Sequence, residues 1–308
     1  MASPQADAFH AMVRAYREAA LGGGGAATPT IDEMRAGSEA TLEQVGVMPE
    51  GVTITDLTVA NDRAAIWIDG PGAVTDAVVL FLHGGGYIMN SIRSHAKLAA
   101  GIGVAAGCRV LSLDYRMAPE NPFPAAVDDA LAAYRWLLAQ GFSASRIAIA
   151  GDSAGGGLAV ATALAAREAG LAQPAALVTM SPWTDLEGVG ATMTSHAELD
   201  LMIDGTSMVN VALMYVAGAD VRNPLIAPIY GDLTGLAPLY IQVGGHEVLL
   251  DDSTRLAVRA AHHGVDVRLD VFPEMQHVFQ SALGMLPESD DAIRRIGNYL
   301  GEHLGISS

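Results

Sequence analysis

The chain is almost devoid of lysine and cysteine: Lys97 and Cys108 are the only ones in 308 residues. A single thiol excludes an intrachain disulfide. Cys108 lies in the strand-like run 108–113, where a buried small side chain is expected rather than a catalytic thiol. Basic residues are scarce altogether, 17 Lys and Arg against 34 Asp and Glu, for a formal net charge of −17. Such a surface repels a phosphate backbone or an anionic lipid headgroup, so neither nucleic acid nor membrane is an expected partner. Anionic substrates are disfavoured for the same reason. No apolar run approaches the ~18 residues of a spanning helix. Residues 1–7 have no basic region followed by an apolar core, so no secretory leader is expected and the expected location is cytoplasmic. H-E-x-x-H and paired Cys/His spacings are missing, as are a dinucleotide fingerprint and a Gly-Lys-Ser/Thr loop. Neither a metal site nor a phosphate-cradling loop is therefore expected.

What is present is a large apolar content, 51% of residues, enough for a sizeable core. Strand patterns at 52–60 and 63–69 are close enough to pair antiparallel. From there strands at 77–82, 108–113, 146–150, 175–180, 238–243 and 266–271 alternate with helical patterns at 94–106, 123–140, 155–169, 250–263 and 288–304. This alternation predicts an α/β fold, a mostly parallel sheet with helices on both faces. Two helices precede the first strand. One covers 4–21, with Phe9, Met12, Val13 and Tyr16 at helical spacing; Gly22-Gly23-Gly24-Gly25 ends it as a flexible joint; the other covers 30–45. Between Met180 and Pro238 the rhythm breaks, and the interval includes a helix pattern rich in methionine and aliphatics: Met202, Ile203, Met208, Val209, Val211, Leu213, Met214 and Val216. An insertion after a strand's carboxyl end lies over the ligand side of such a sheet. Residues 1–50 and an insertion at about 186–226 are thus expected to cap a catalytic domain spanning 51–308, the methionines filling a small core, an acyl pocket, or both.

Gly151-Asp152-Ser153-Ala154-Gly155 stands between a strand and a helix. Glycines flanking the serine allow a sharp turn that lifts its hydroxyl out of the sheet at a helix N-terminus, the geometry of a nucleophile. Acyl transfer from serine also needs a base, an orienting acid and an oxyanion hole. The buried run 77–82 ends in His83-Gly84-Gly85-Gly86-Tyr87. The N–H groups of Gly84, Gly85 and Ala154 are the expected oxyanion donors, and His83 is expected to hold the loop. In the order serine, acid, histidine, the base falls after the last strand at His277, with His246 its serious rival. Glu247, Asp251 and Asp252 follow the preceding strand. Glu247, just past the strand end, is the expected acid; Asp251 and Asp252 open a helix, where carboxylates serve the dipole and cap N–H groups.

These motifs, with 114–126, 181–186 and the late His277, resemble the hormone-sensitive-lipase-like esterases, the bacterial family IV carboxylesterases of the α/β-hydrolase fold, from about residue 75 to 280. The resemblance implies a serine hydrolase acting through an acyl-enzyme on uncharged small-molecule esters with short to medium acyl chains. It also implies no cofactor, an N-terminal cap, and in many members a homodimer. The chain departs from the pattern where Glu247-Val248-Leu249 replaces the usual Asp-Pro-Leu. Alternatives on the same machinery are a lactone hydrolase or an acetyl-hydrolase of secondary metabolism. A non-catalytic small-molecule receptor is the alternative of another class.

Overall fold

The computed structural model describes residues 3–21 and 29–306. The Gly22-Gly25 tract and the Tyr16 side chain lie outside what is described. Eight strands form one sheet: β1 (Thr53–Val59), β2 (Arg63–Asp69), β3 (Val74–Leu82), β4 (Cys108–Leu113), β5 (Ile147–Asp152), β6 (Ala176–Met180), β7 (Leu239–Gly244) and β8 (Val267–Phe272). Their spatial order is β1-β2-β4-β3-β5-β6-β7-β8. β1 pairs antiparallel with β2, and β2 antiparallel with β4; every pairing from β4 to β8 is parallel. The helices are α1 (Pro4–Leu21), α2 (Ile31–Glu43), α3 (Ala96–Ala106), α4 (Ala125–Ala139), α5 (Ala154–Glu168), α6 (Thr192–Ser195), α7 (Gly205–Val216), α8 (Leu250–His262) and α9 (Pro287–His303). No described helix is long and apolar enough to cross a membrane.

The central strands are buried on both faces, as the continuous apolar runs require. Alternate side chains of β3 feed two cores. Val78, Leu80 and Leu82 join one with Val127, Leu158 and Leu256 of α4, α5 and α8. Val79 and Phe81 join the other with Leu98 and Ile296 of α3 and α9.

After β3 the chain goes to β4 on one side and returns to β5 on the other. The crevice outside the carboxyl ends of β3 and β5 is therefore the switch point where ligands bind in such sheets. Parallel registers align Leu82 with Gly151, and Gly244 with Phe272. The glycine loop thus leaves the sheet beside Ser153, and the Glu247 loop beside the His277 loop.

α2 starts at a capping box: Thr30 Oγ1 accepts the Glu33 N–H, and Glu33 Oε2 accepts the Thr30 N–H at 2.8 Å. It ends against the single lysine, whose Nζ donates to Glu43 O at 2.6 Å and Val45 O at 3.2 Å.

Candidate active site

Ser153 has φ 52° and ψ −122°, a left-handed conformation that costs a non-glycine residue about 1–3 kcal/mol. The surroundings enforce it. Its N–H donates to Met180 O at 2.8 Å, and its carbonyl accepts the N–H groups of Gly156, Gly157 and Trp183 at 3.0, 3.1 and 2.9 Å. A Cβ on Gly151 would overlap the carbonyls of Gly155 and Leu82, and one on Gly155 those of Leu82 and His83.

His277 and Glu247 are buried and hydrogen-bonded, Nδ1 to Oε2 at 2.8 Å. The other carboxylate oxygen, Oε1, accepts the Ser181 hydroxyl at 2.6 Å and the Gly244 N–H at 2.5 Å. Ser181 Oγ also accepts the Val278 N–H at 3.1 Å. One hydroxyl therefore links both loops, a role the sequence reading missed although Ser181-Pro182-Trp183 drew notice as a motif. Burial alone would pull the His277 pKa down. The hydrogen bond and charge of Glu247, with the charges of Asp200 and Asp152, outweigh it, and the net direction is upward.

The other acid candidates are engaged elsewhere. Asp251 Oδ2 accepts the Thr192 N–H at 3.1 Å. Asp252 Oδ1 accepts the N–H groups of Thr184 and Asp185, each at 2.8 Å, and burial pushes its carboxyl up to about 7. His246 sits apart, its ring 6.4 Å from that of His10 on α1.

One expectation for the glycine loop needs correction. The Gly84 N–H donates to Asp152 Oδ1 at 3.1 Å, so it is occupied inside the protein. Asp152 is itself buried, its Oδ2 3.2 Å from His95 Nε2. It is Gly85 and Gly86 that line the cavity. Ala154 opens α5, where a helical N–H has no intrahelical acceptor. His83 holds the loop: Nδ1 lies 2.8 Å from Gly84 O, and the ring stacks on Tyr115 at 4.4 Å. Burial lowers its pKa to about 4, which keeps it neutral. Beyond the loop, Arg35 of α2 donates to Ile88 O at 2.8 Å and Ala118 O at 3.0 Å.

Ser153, His277, Gly85 and Gly86 share a cavity of about 470 Å³. Met34 of α2 lines it together with Met202, Ile203, Met208 and Val211. Other apolar residues of α7 do not: Val209 and Leu213 face outward, and Tyr215 stacks on Tyr87 at 3.8 Å.

The family model described as alpha/beta hydrolase fold matches residues 79–281. An acetyl-hydrolase of Streptomyces hygroscopicus is 46% identical over 250 residues, covering 81% of this chain and 83% of that one. Esterase LipU of Mycobacterium tuberculosis is 36% identical over 242 residues, 76% and 81% of the two chains. The crystal structure of an esterase from the bacterial hormone-sensitive lipase family superposes with a TM-score of 0.93 at 44% identity, covering 99% of this chain and 100% of that one.

Proposed function

We propose, for a chain that belongs to the α/β-hydrolase family and within it to the hormone-sensitive-lipase-like carboxylesterases, that Ser153, His277 and Glu247 form the triad of an acyl-enzyme mechanism. The chain is an ester hydrolase. The observation that carries the proposal is the 2.8 Å contact of Glu247 with His277 Nδ1 beside a cavity that also holds Ser153. Glu247 fixes the proton on Nδ1 and leaves Nε2 as the base. That nitrogen takes the Ser153 proton as Oγ attacks the ester carbonyl. The tetrahedral oxyanion is held by the N–H groups of Gly85, Gly86 and Ala154. Protonated His277 then gives its proton to the departing alcohol. Water, activated by the same nitrogen, hydrolyses the acyl-enzyme.

The His277 pKa lies above that of ordinary imidazole. The base works neutral, so activity falls as pH drops through a value above that of ordinary imidazole.

The oxyanion assignment is tested at Gly85, whose φ is 113° and where a Cβ would overlap Met89 O. Gly85→Ala lowers kcat about 10²–10³-fold by displacing a donor. A folded variant with parent kcat overturns the assignment.

The family likeness implies an acyl chain of about two to eight carbons, and a cavity of about 470 Å³ lined by methionine and aliphatics suits an uncharged ester. The expected kcat/KM on p-nitrophenyl esters peaks in that range, and a maximum at the palmitoyl ester overturns it. A second reading, removal of an acetyl group from a larger alcohol, draws on the name of the Streptomyces relative. It predicts acetyl preferred over butyryl on one bulky alcohol. The caps are read as α1 and α2 with 186–226. A homodimer is read from the family likeness; β8 leaves one sheet edge open for it, and sedimentation velocity tests this.

A further inference from the structure

Asp200 lies fully buried between α6 and α7, and it bonds two separate parts of the chain. Its Oδ1 accepts the N–H groups of Met202 and Ile203 at 2.9 and 2.8 Å. Its Oδ2 accepts the N–H of Val248, the residue after Glu247, at 2.9 Å. The neighbouring bonds run in the same sense. The Leu201 N–H donates to Gln276 Oε1 at 2.7 Å, and Gln276 Nε2 donates to Leu199 O at 3.1 Å. Gln276 directly precedes His277. From α6, Thr192 Oγ1 donates to Val248 O at 2.7 Å and accepts the Asp251 N–H at 3.0 Å. The inserted segment is therefore stitched to the chain neighbours of both Glu247 and His277. Its opposite side presents Met202 and Ile203 to the cavity.

A buried carboxylate is tolerated only with its lone pairs satisfied, and three backbone donors achieve that here. Capping the turn at 202–203 needs only one of its oxygens. The second reaches across to the loop of the catalytic acid.

We propose that Asp200 is a positioning residue for the triad, fixing the Glu247 loop to the wall of the substrate cavity. The inference rests on the reading of Glu247 and His277 as acid and base. It makes the cap part of the catalytic framework: a substrate pressing on Met202 and Ile203 presses on the segment that sets Val248. The anions that act on His277 are Glu247, Asp200 and Asp152, and all three raise its pKa.

The test is Asp200→Asn, which keeps the volume but turns an amide toward backbone donors. On p-nitrophenyl butyrate kcat falls on the order of 10²-fold, the size expected of a small misplacement in a triad, while KM changes little. The acid limb of the kcat/KM profile moves to lower pH, because one of the three anions is gone. A folded variant with parent kcat overturns the proposal. A lower kcat with an unmoved acid limb also overturns it, because Asp200 then serves cap folding alone. If Asp200→Asn does not fold, Thr192→Val decides. A fall in kcat at constant KM supports the tie, and parent kcat or a change in KM alone overturns it. Glu247→Gln in the same assay separates the two claims. If it retains parent kcat, the triad reading fails. If it is inactive while the cap variants match the parent, only the role of Asp200 fails.

Discussion

Ser153→Ala is expected to abolish ester hydrolysis and leave the melting temperature at or above that of the parent. The strained backbone at 153 is held by the carbonyl and N–H contacts to Met180, Gly156, Gly157 and Trp183, none of which involves the hydroxyl. Alanine takes the same φ with no larger side chain, so the elbow keeps its shape. The Glu247–His277 pair also remains, but its base has no hydroxyl to activate. Because triad members act as a unit, the loss of the nucleophile alone costs about 10⁶ in kcat in a serine protease, and a similar size is expected here. The oxyanion donors still bind the carbonyl, so a weak residual rate above buffer remains. Turnover of p-nitrophenyl butyrate checks the rate, and mass spectrometry after fluorophosphonate treatment checks the adduct. A folded alanine variant turning over at the parent rate overturns the assignment of Ser153.

Glu247→Gln carries the next largest effect, about 10⁴ in kcat by analogy with the amide replacement of a protease aspartate. The reason lies in the partners of the two oxygens. Oε1 accepts two donors, the Ser181 hydroxyl and the Gly244 N–H. A glutamine keeps its oxygen there and turns its NH2 toward His277. Nδ1 must then accept, the imidazole proton moves to Nε2, and the nitrogen facing Ser153 is no longer a base. Higher pH gives no rescue, because the defect is one of tautomer and not of charge. Asp251→Asn at the same pH stays close to the parent, since asparagine can still accept the Thr192 N–H. If Asp251→Asn is the inactive variant and Glu247→Gln is active, the acid is misassigned.

The sheet and the triad candidates were legible in the sequence because each rests on a local signal. Two-sided burial writes continuous apolar runs for β3, β5 and β6, and strand ends mark where catalytic loops begin. The pairing of β2 with β4 depends on segments some forty residues apart, and no local pattern encodes it. Gly84, Gly85 and Gly86 are indistinguishable as letters. Which of their N–H groups is free is decided by the Asp152 carboxylate, which reaches Gly84 only through the β3–β5 register. At 247 the glutamate side chain folds back so that Oε1 accepts the Gly244 N–H, a contact that the letter alone does not announce. Asp200 had no signal of its own, because its partner Val248 is distant in sequence.

The glycines around Ser153 answer to a collision between backbones and not to the reaction. Overlap with β3 and with the start of α5 forbids a side chain at Gly151 or Gly155 whatever residue stands between them. A descendant that exchanged the serine and ceased to be an enzyme would still inherit both glycines, along with the apolar strand before them. Sequence searches keyed to that signature would go on grouping it with active members. In reading genomes, the kinship of such a chain and its livelihood have to be judged at different positions, the first at 151 and 155, the second at the proposed site residues 153, 247 and 277.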